Sequence, residues 1–146
     1  ALSGSGNNVT IEDARSMIYG YAVALDMTRR DMQAEAKRAS RPWDMAKGFD
    51  HSCPIGPITP IAQTGFLASG RIQLNVNGET RQQADLSDMI WSVEECIVAL
   101  SQLVEILPGD IILTGTPAGV GPVVAGDQLH ASFEDLNDLT VTYSAP

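Results

Sequence analysis

A carboxylate, a guanidinium, an amide and an amine fall within one short stretch of this chain, as Asp26, Arg30, Gln33 and Lys47. Asp26 ends the apolar run Tyr21 to Met27. Burying that run would leave the acid half in and half out of the core, where it must be paired, protonated or bound to a metal. Thr28 is a suitable helix N-cap, with Asp31 three residues on at the capping-box position. A helix starting there turns about 100° per residue, so Arg30 and Gln33 share one face near the mouth where Asp26 emerges. Ser40-Arg41-Pro42-Trp43 then breaks the pattern. Lys47 arrives beside Gly48, where the backbone can turn sharply or approach a ligand.

Charge points to the same stretch. Nine basic residues against eighteen acidic ones give a formal net charge of −9. Such a chain argues against a nucleic-acid or anionic-membrane partner, and it must gather positive charge locally to act on an anionic substrate. Arg29, Arg30, Lys37, Arg38, Arg41 and Lys47 supply six of the nine cations within nineteen residues. For Arg29, Lys37 and Arg38 a solvated helix face is the plainer reading.

The elements that must position these groups can be read in chain order. Ala1 to Asn8 runs from an apolar pair into a Gly/Ser turn, like the end of a cut strand. Thr10 with Asp13 is a capping box, and Ala14, Met17 and Ile18 give helical spacing up to Gly20. Tyr21 to Met27 reads as a strand. Prolines 54, 57 and 60, with Gly56, Gly65 and Gly70, predict wandering loop with short strands. Ile72, Leu74 and Val76 alternate up to Asn77-Gly78, a strong hairpin signal, and Glu79 to Gln83 return. Ser92 with Glu95 opens a helix to about Glu105, with Cys96, Ile97, Leu100, Leu103 and Val104 as its core face. Ile111 to Leu113 reads as a buried strand between the turn Pro108-Gly109-Asp110 and the loop Thr114-Gly115-Thr116-Pro117. That loop has hydroxyls and amides that could meet a carboxylate. Leu129, Ala131 and Phe133, then Leu139, Val141 and Tyr143, alternate as two closing strands.

Length sets a frame: 146 residues make one domain, able to bury roughly 68–70% of its unfolded surface. Cys53 and Cys96 have no C-x-x-C spacing, which argues against a zinc or redox motif and suits reduced thiols in the cytoplasm. No apolar run approaches the roughly 18 residues of a membrane span, and no targeting signal is evident, so a soluble chain is expected. Short strands, few helices and abundant Gly and Pro predict an α+β, mainly β fold.

Asp26-Met27-Thr28-Arg29-Arg30-Asp31-Met32-Gln33, Pro42-Trp43, Ala46-Lys47-Gly48-Phe49-Asp50 and Pro54-Ile55-Gly56-Pro57 together resemble the fumarylacetoacetate hydrolase family. Val76-Asn77-Gly78-Glu79, Met89-Ile90-Trp91, Leu107-Pro108-Gly109-Asp110 and the stretch from Thr114 to Gly121 follow in the family's order. The resemblance runs from about Asn8 to Gly126 and is greatest to the fumarylpyruvate hydrolases of that family.

The resemblance implies a mixed β-sandwich roll with short helices, of the family's C-terminal-domain type, in a homodimer. It implies hydrolytic cleavage of a carbon–carbon bond in a small dicarbonyl acid, fumarylpyruvate or a related acylpyruvate, with Mg²⁺ or Mn²⁺ as cofactor and Ca²⁺ as a third candidate. Asp26 matches the metal carboxylate and Lys47 the catalytic lysine near the metal. Arg30 and Gln33 match substrate-contacting positions, and Thr116 the threonine that binds a substrate carboxylate. His51 and His130 match none, and surface or packing roles are expected for them. A Glu-x-Glu metal pair and a water-activating His/Glu pair would precede Ala1. The 146 residues are therefore expected to be a catalytic domain lacking its N-terminal part, with no measurable turnover alone. A decarboxylase or isomerase of 2-oxo dicarboxylic acids, or a non-catalytic remnant serving as an assembly module, are the alternative readings.

Overall fold

The computed structural model describes residues 1–144. Among these described residues four helices, α1 (Ile11–Met17), α2 (Arg30–Arg38), α3 (Ile61–Thr64) and α4 (Val93–Ser101), accompany six strands. The strands β3 (Arg71–Val76), β4 (Glu79–Asp85), β5 (Gln128–Phe133) and β6 (Leu139–Thr142) form an antiparallel sheet in the order β4-β3-β5-β6. A separate two-stranded ribbon pairs β1 (Gly20–Tyr21) with β2 (Thr59–Pro60). The mainly β, α+β architecture expected from the sequence is the one observed.

Two apolar clusters hold these elements. Leu2, Ala14, Met17, Ile18, Ile97 and Ile106 pack α1 against α4 and the N-terminal segment. Val23, Leu25, Val76, Leu129, Ala131 and Phe133 line the sheet. The inward residues of β5 are its alternate ones, as a half-buried strand requires. Two of the three predicted capping boxes close. The Thr10 hydroxyl accepts from the Asp13 N–H at 3.2 Å while the Asp13 carboxylate accepts from the Thr10 N–H at 3.1 Å. Ser92 and Glu95 reciprocate in the same way. Each cap typically contributes about 1 kcal/mol. Ser101, fully buried at the end of α4, accepts from the Val9 N–H and donates to the Val98 carbonyl, tying α4 to the approach of α1.

The β3–β4 hairpin turns at Asn77 and Gly78, both at positive φ as its two-residue turn demands. Asn77 donates to Asp127 Oδ1 at 2.7 Å and accepts from the Gln128 N–H at 2.9 Å, which pins the turn to the start of β5. The ladder slips once: Leu74 pairs with Gln82 and Asn75 with Thr80, leaving Arg81 as the extra residue of a β-bulge.

Four expectations are corrected. Leu103 and Val104 do not join the core, because α4 ends at Ser101 and the helical spacing that would turn them inward ends with it; they are 82% and 55% exposed. Ile111 to Leu113 form no strand, and only Ile112 packs against the first cluster. Tyr21 to Met27 is regular only at its start. Beyond it the backbone pairs discontinuously with residues 52–56, through a bridge between Ala24 and Ile55 and the bonds Leu25 N–H to Pro54 O and Met27 N–H to Ser52 O. Pro54 and Pro57 have no N–H to donate, so a continuous ladder cannot form there. Finally, Arg29, not Thr28, is the N-cap of α2, and no side chain caps it.

Candidate functional site

The alternation that buries Val23 and Leu25 delivers Asp26 to the surface. It is exposed, not half-buried as its place in the sequence suggested, and it is paired: Lys47 Nζ donates to Asp26 Oδ2 at 2.7 Å. Lys47 is carried by the 3₁₀ turn Asp44–Ala46, whose bonds from the Lys47 and Gly48 N–H groups to the Asp44 carbonyl set its exit direction. Ala46 is buried beneath it and accepts from the Arg29 N–H at 3.0 Å. This bond joins the segment after Asp26 to the segment before Lys47, so the two charged groups meet although 21 positions apart.

Arg30 and Gln33 do share a face. Arg30 Nη1 donates to Gln33 Oε1 at 2.6 Å, from an exposed side chain to one that is 4% exposed. The buried amide fixes the direction of the guanidinium and leaves its other N–H groups for an anion. Among the described residues no ion pair links Arg30 to Asp26. Two of the three cations assigned to a solvated face lie over rings: Arg29 above Phe49 at 4.4 Å and Lys37 above Trp43 at 4.8 Å. A groove of about 200 Å³ runs between α2 and Trp43, lined by Met32, Ala36, Met45 and Ala46 among others, and Lys47 stands at a neighbouring hollow with Pro42 and Trp43.

Thr116 sits in the long connection between α4 and β5. Its exposed loop is held by Gln82 of β4, whose Nε2 donates to Thr116 Oγ1 at 2.8 Å and to the Pro117 carbonyl at 2.7 Å. Sequence reasoning missed Gln82, because a glutamine in a returning strand carries no signal of a partner 34 residues away. His130 of β5 pairs with Asp138, the residue before β6, at 2.9 Å, and His51 is an exposed turn residue at positive φ. These are the surface roles expected for them.

No cluster of three or more His, Cys, Asp or Glu side chains suited to a metal ion occurs among the described residues. Asp26 nevertheless fits a hard divalent cation as one ligand of several: it is an accessible oxygen donor, and Mg²⁺ sites often use one or two carboxylates completed by substrate and water.

Residues 1–143 match the family described as fumarylacetoacetate (FAA) hydrolase C-terminal. Fumarylpyruvate hydrolase from Ralstonia sp is 42% identical over 142 residues, covering 97% of this chain and 73% of that protein. Oxaloacetate tautomerase YcgM from Escherichia coli (strain K12) is 45% identical over 126 residues, covering 86% and 58%. The crystal structure of fumarylpyruvate hydrolase from Pseudomonas aeruginosa in complex with Mn²⁺ and pyruvate superposes with a TM-score of 0.97 at 42% identity. The match covers 100% of this chain and 63% of that one. The chain thus spans roughly three-fifths to three-quarters of the length of these relatives.

Proposed function

From a chain that belongs to the fumarylacetoacetate hydrolase family, we propose a protein that uses a divalent metal to cleave a carbon–carbon bond in fumarylpyruvate or a related acylpyruvate, giving fumarate and pyruvate. The observation that carries this reading is the Asp26–Lys47 pair, an accessible carboxylate and ammonium 2.7 Å apart. The likeness to a fumarylpyruvate hydrolase crystallised with Mn²⁺ and pyruvate supports it. A homodimer in the cytoplasm belongs to the same proposal.

Asp26 would hold Mg²⁺, Mn²⁺ or Ca²⁺ through an oxygen, together with substrate, water and other ligands. The bound cation would supply Lewis-acid stabilisation of charge at the 2-oxo acid end of the substrate. In the hydrolysis a water oxygen bonds to the acyl carbonyl carbon, the bond to the neighbouring carbon breaks, and its electron pair passes to the pyruvate fragment as an enolate, which then takes a proton at carbon. Lys47 sets a fixed positive charge beside the oxygen where that charge develops. Arg30, aimed by Gln33, and Thr116 serve the substrate's carboxylates.

A second reading, oxaloacetate tautomerisation, is favoured by the 45% identity to the Escherichia coli enzyme of that name. It needs the same charge stabilisation for an enolate, without bond cleavage. Full-length protein loaded with Mn²⁺ would be given fumarylpyruvate and oxaloacetate separately. Loss of fumarylpyruvate absorbance with release of pyruvate supports the hydrolase. Exchange of enol and keto oxaloacetate alone selects the tautomerase. Inactivity on both would favour a non-catalytic assembly module.

A further inference from the structure

We propose that Gln82 is the positioning residue for Thr116, holding its hydroxyl so that the hydroxyl proton is free for a carboxylate of the substrate. The inference rests on the reading of Thr116 as a carboxylate-contacting residue. Three observations carry it. First, the β-bulge at Arg81 brings Gln82, instead of Arg81, opposite Leu74, the kind of re-aiming that bulges near functional sites perform. Second, Gln82 Nε2 reaches both Thr116 Oγ1 and the Pro117 carbonyl, at 2.8 and 2.7 Å. Third, the loop crosses the bulge closely: at Gly119, whose φ is +101°, a Cβ would fall 2.1 Å from the Arg81 carbonyl oxygen.

The Pro117 contact fixes the chemistry of the Thr116 contact. A carbonyl oxygen only accepts, so the nitrogen end of the Gln82 amide must face the loop. An amide nitrogen only donates, so its second N–H goes to Thr116 Oγ1, which acts as acceptor. The threonine's own proton is then turned away from Gln82 and available to an anion. The substitution Gln82→Glu reverses this polarity: the new carboxylate would accept from Thr116, consume its proton and face the Pro117 carbonyl with a second acceptor.

The test is pyruvate binding to the full-length, Mn²⁺-loaded protein by calorimetry, in Gln82→Glu, Gln82→Met, Thr116→Val and the double variant Gln82→Glu/Thr116→Val. Unfolding curves would be recorded for each. Thr116→Val and Gln82→Glu should each raise the Kd about tenfold, the loss expected for a hydrogen bond to a charged group. Gln82→Met, which donates nothing and accepts next to nothing, should cost less than Gln82→Glu. The double variant should bind no worse than Thr116→Val alone. A loss from Gln82→Glu that persists undiminished in the Thr116→Val background would overturn the proposal, since Gln82 would then act elsewhere. So would unchanged binding in Gln82→Glu when Thr116→Val is impaired, while leaving the role of Thr116 intact. Full affinity in Thr116→Val would overturn the role of Thr116 and the proposal with it.

Discussion

Lys47 Nζ donates to Asp26 Oδ2 at 2.7 Å between side chains that are 37% and 46% exposed. At that exposure an ion pair contributes about 0–1 kcal/mol to stability, so a role in folding is a weak reason for the pair. A bound cation would share the Asp26 carboxylate with Lys47 and hold both groups at one place.

Asp26→Asn should therefore weaken Mn²⁺ binding by on the order of tenfold or more, because the amide keeps the shape of the ligand and loses its charge. Calorimetric titration of Mn²⁺ into the two full-length forms measures this. Equal affinities would remove Asp26 from the metal site.

Lys47→Met should lower kcat by about 10²- to 10³-fold, the usual effect of deleting a group that stabilises a developing oxyanion, with a much smaller change in KM. Its thermal midpoint should barely move. Steady-state kinetics separate the two parameters, and a change confined to KM would show that Lys47 serves ground-state binding.

Acid should weaken the protein through carboxylates that accept hydrogen bonds in the folded state, Asp85 and Asp127 among them. Hydrogen bonds from the Ser87 side chain and backbone lower the pKa of Asp85, and the Val124 N–H and the Asn77 side chain lower that of Asp127. For a depressed pKa the stabilisation is complete above the unfolded value near 3.8 and is lost as pH falls through the lower folded value. The thermal midpoint should hold down to about pH 5 and fall below pH 4. Asp85→Asn should flatten part of that fall; an unchanged profile would remove Asp85 as a contributor.

Asn77→Ala should destabilise the β3–β4 hairpin by about 1–2 kcal/mol, since alanine tolerates the left-handed backbone poorly. The bonds to Asp127 and Gln128 would also be lost. Chemical denaturation of the full-length protein reads the change, and Asn77→Gly should recover part of it. A matching loss in Asn77→Gly would assign the cost to the hydrogen bonds alone.

What the sequence determined by itself lies within a few residues along the chain. The capping boxes at Thr10 and Ser92, the turn at Asn77-Gly78 and the alternation of β5 and β6 follow from local sterics and local hydrogen bonds. The shared face of Arg30 and Gln33 needs only one turn of helix. The ordered motifs from Asp26 to Gly121 carry the family resemblance. Tertiary structure decided the rest. The end of α4 left Leu103 and Val104 outside, a fact that periodicity cannot give because it does not state where a helix stops. The prolines facing Tyr21 to Met27 broke a ladder that this segment alone would favour. Lys47 meets Asp26 where Arg29 bonds to Ala46, and Gln82, next to a bulge in β4, meets Thr116 in a loop 34 residues away. Contacts of that kind depend on the path of two distant backbones at once, and no spacing within either stretch encodes them.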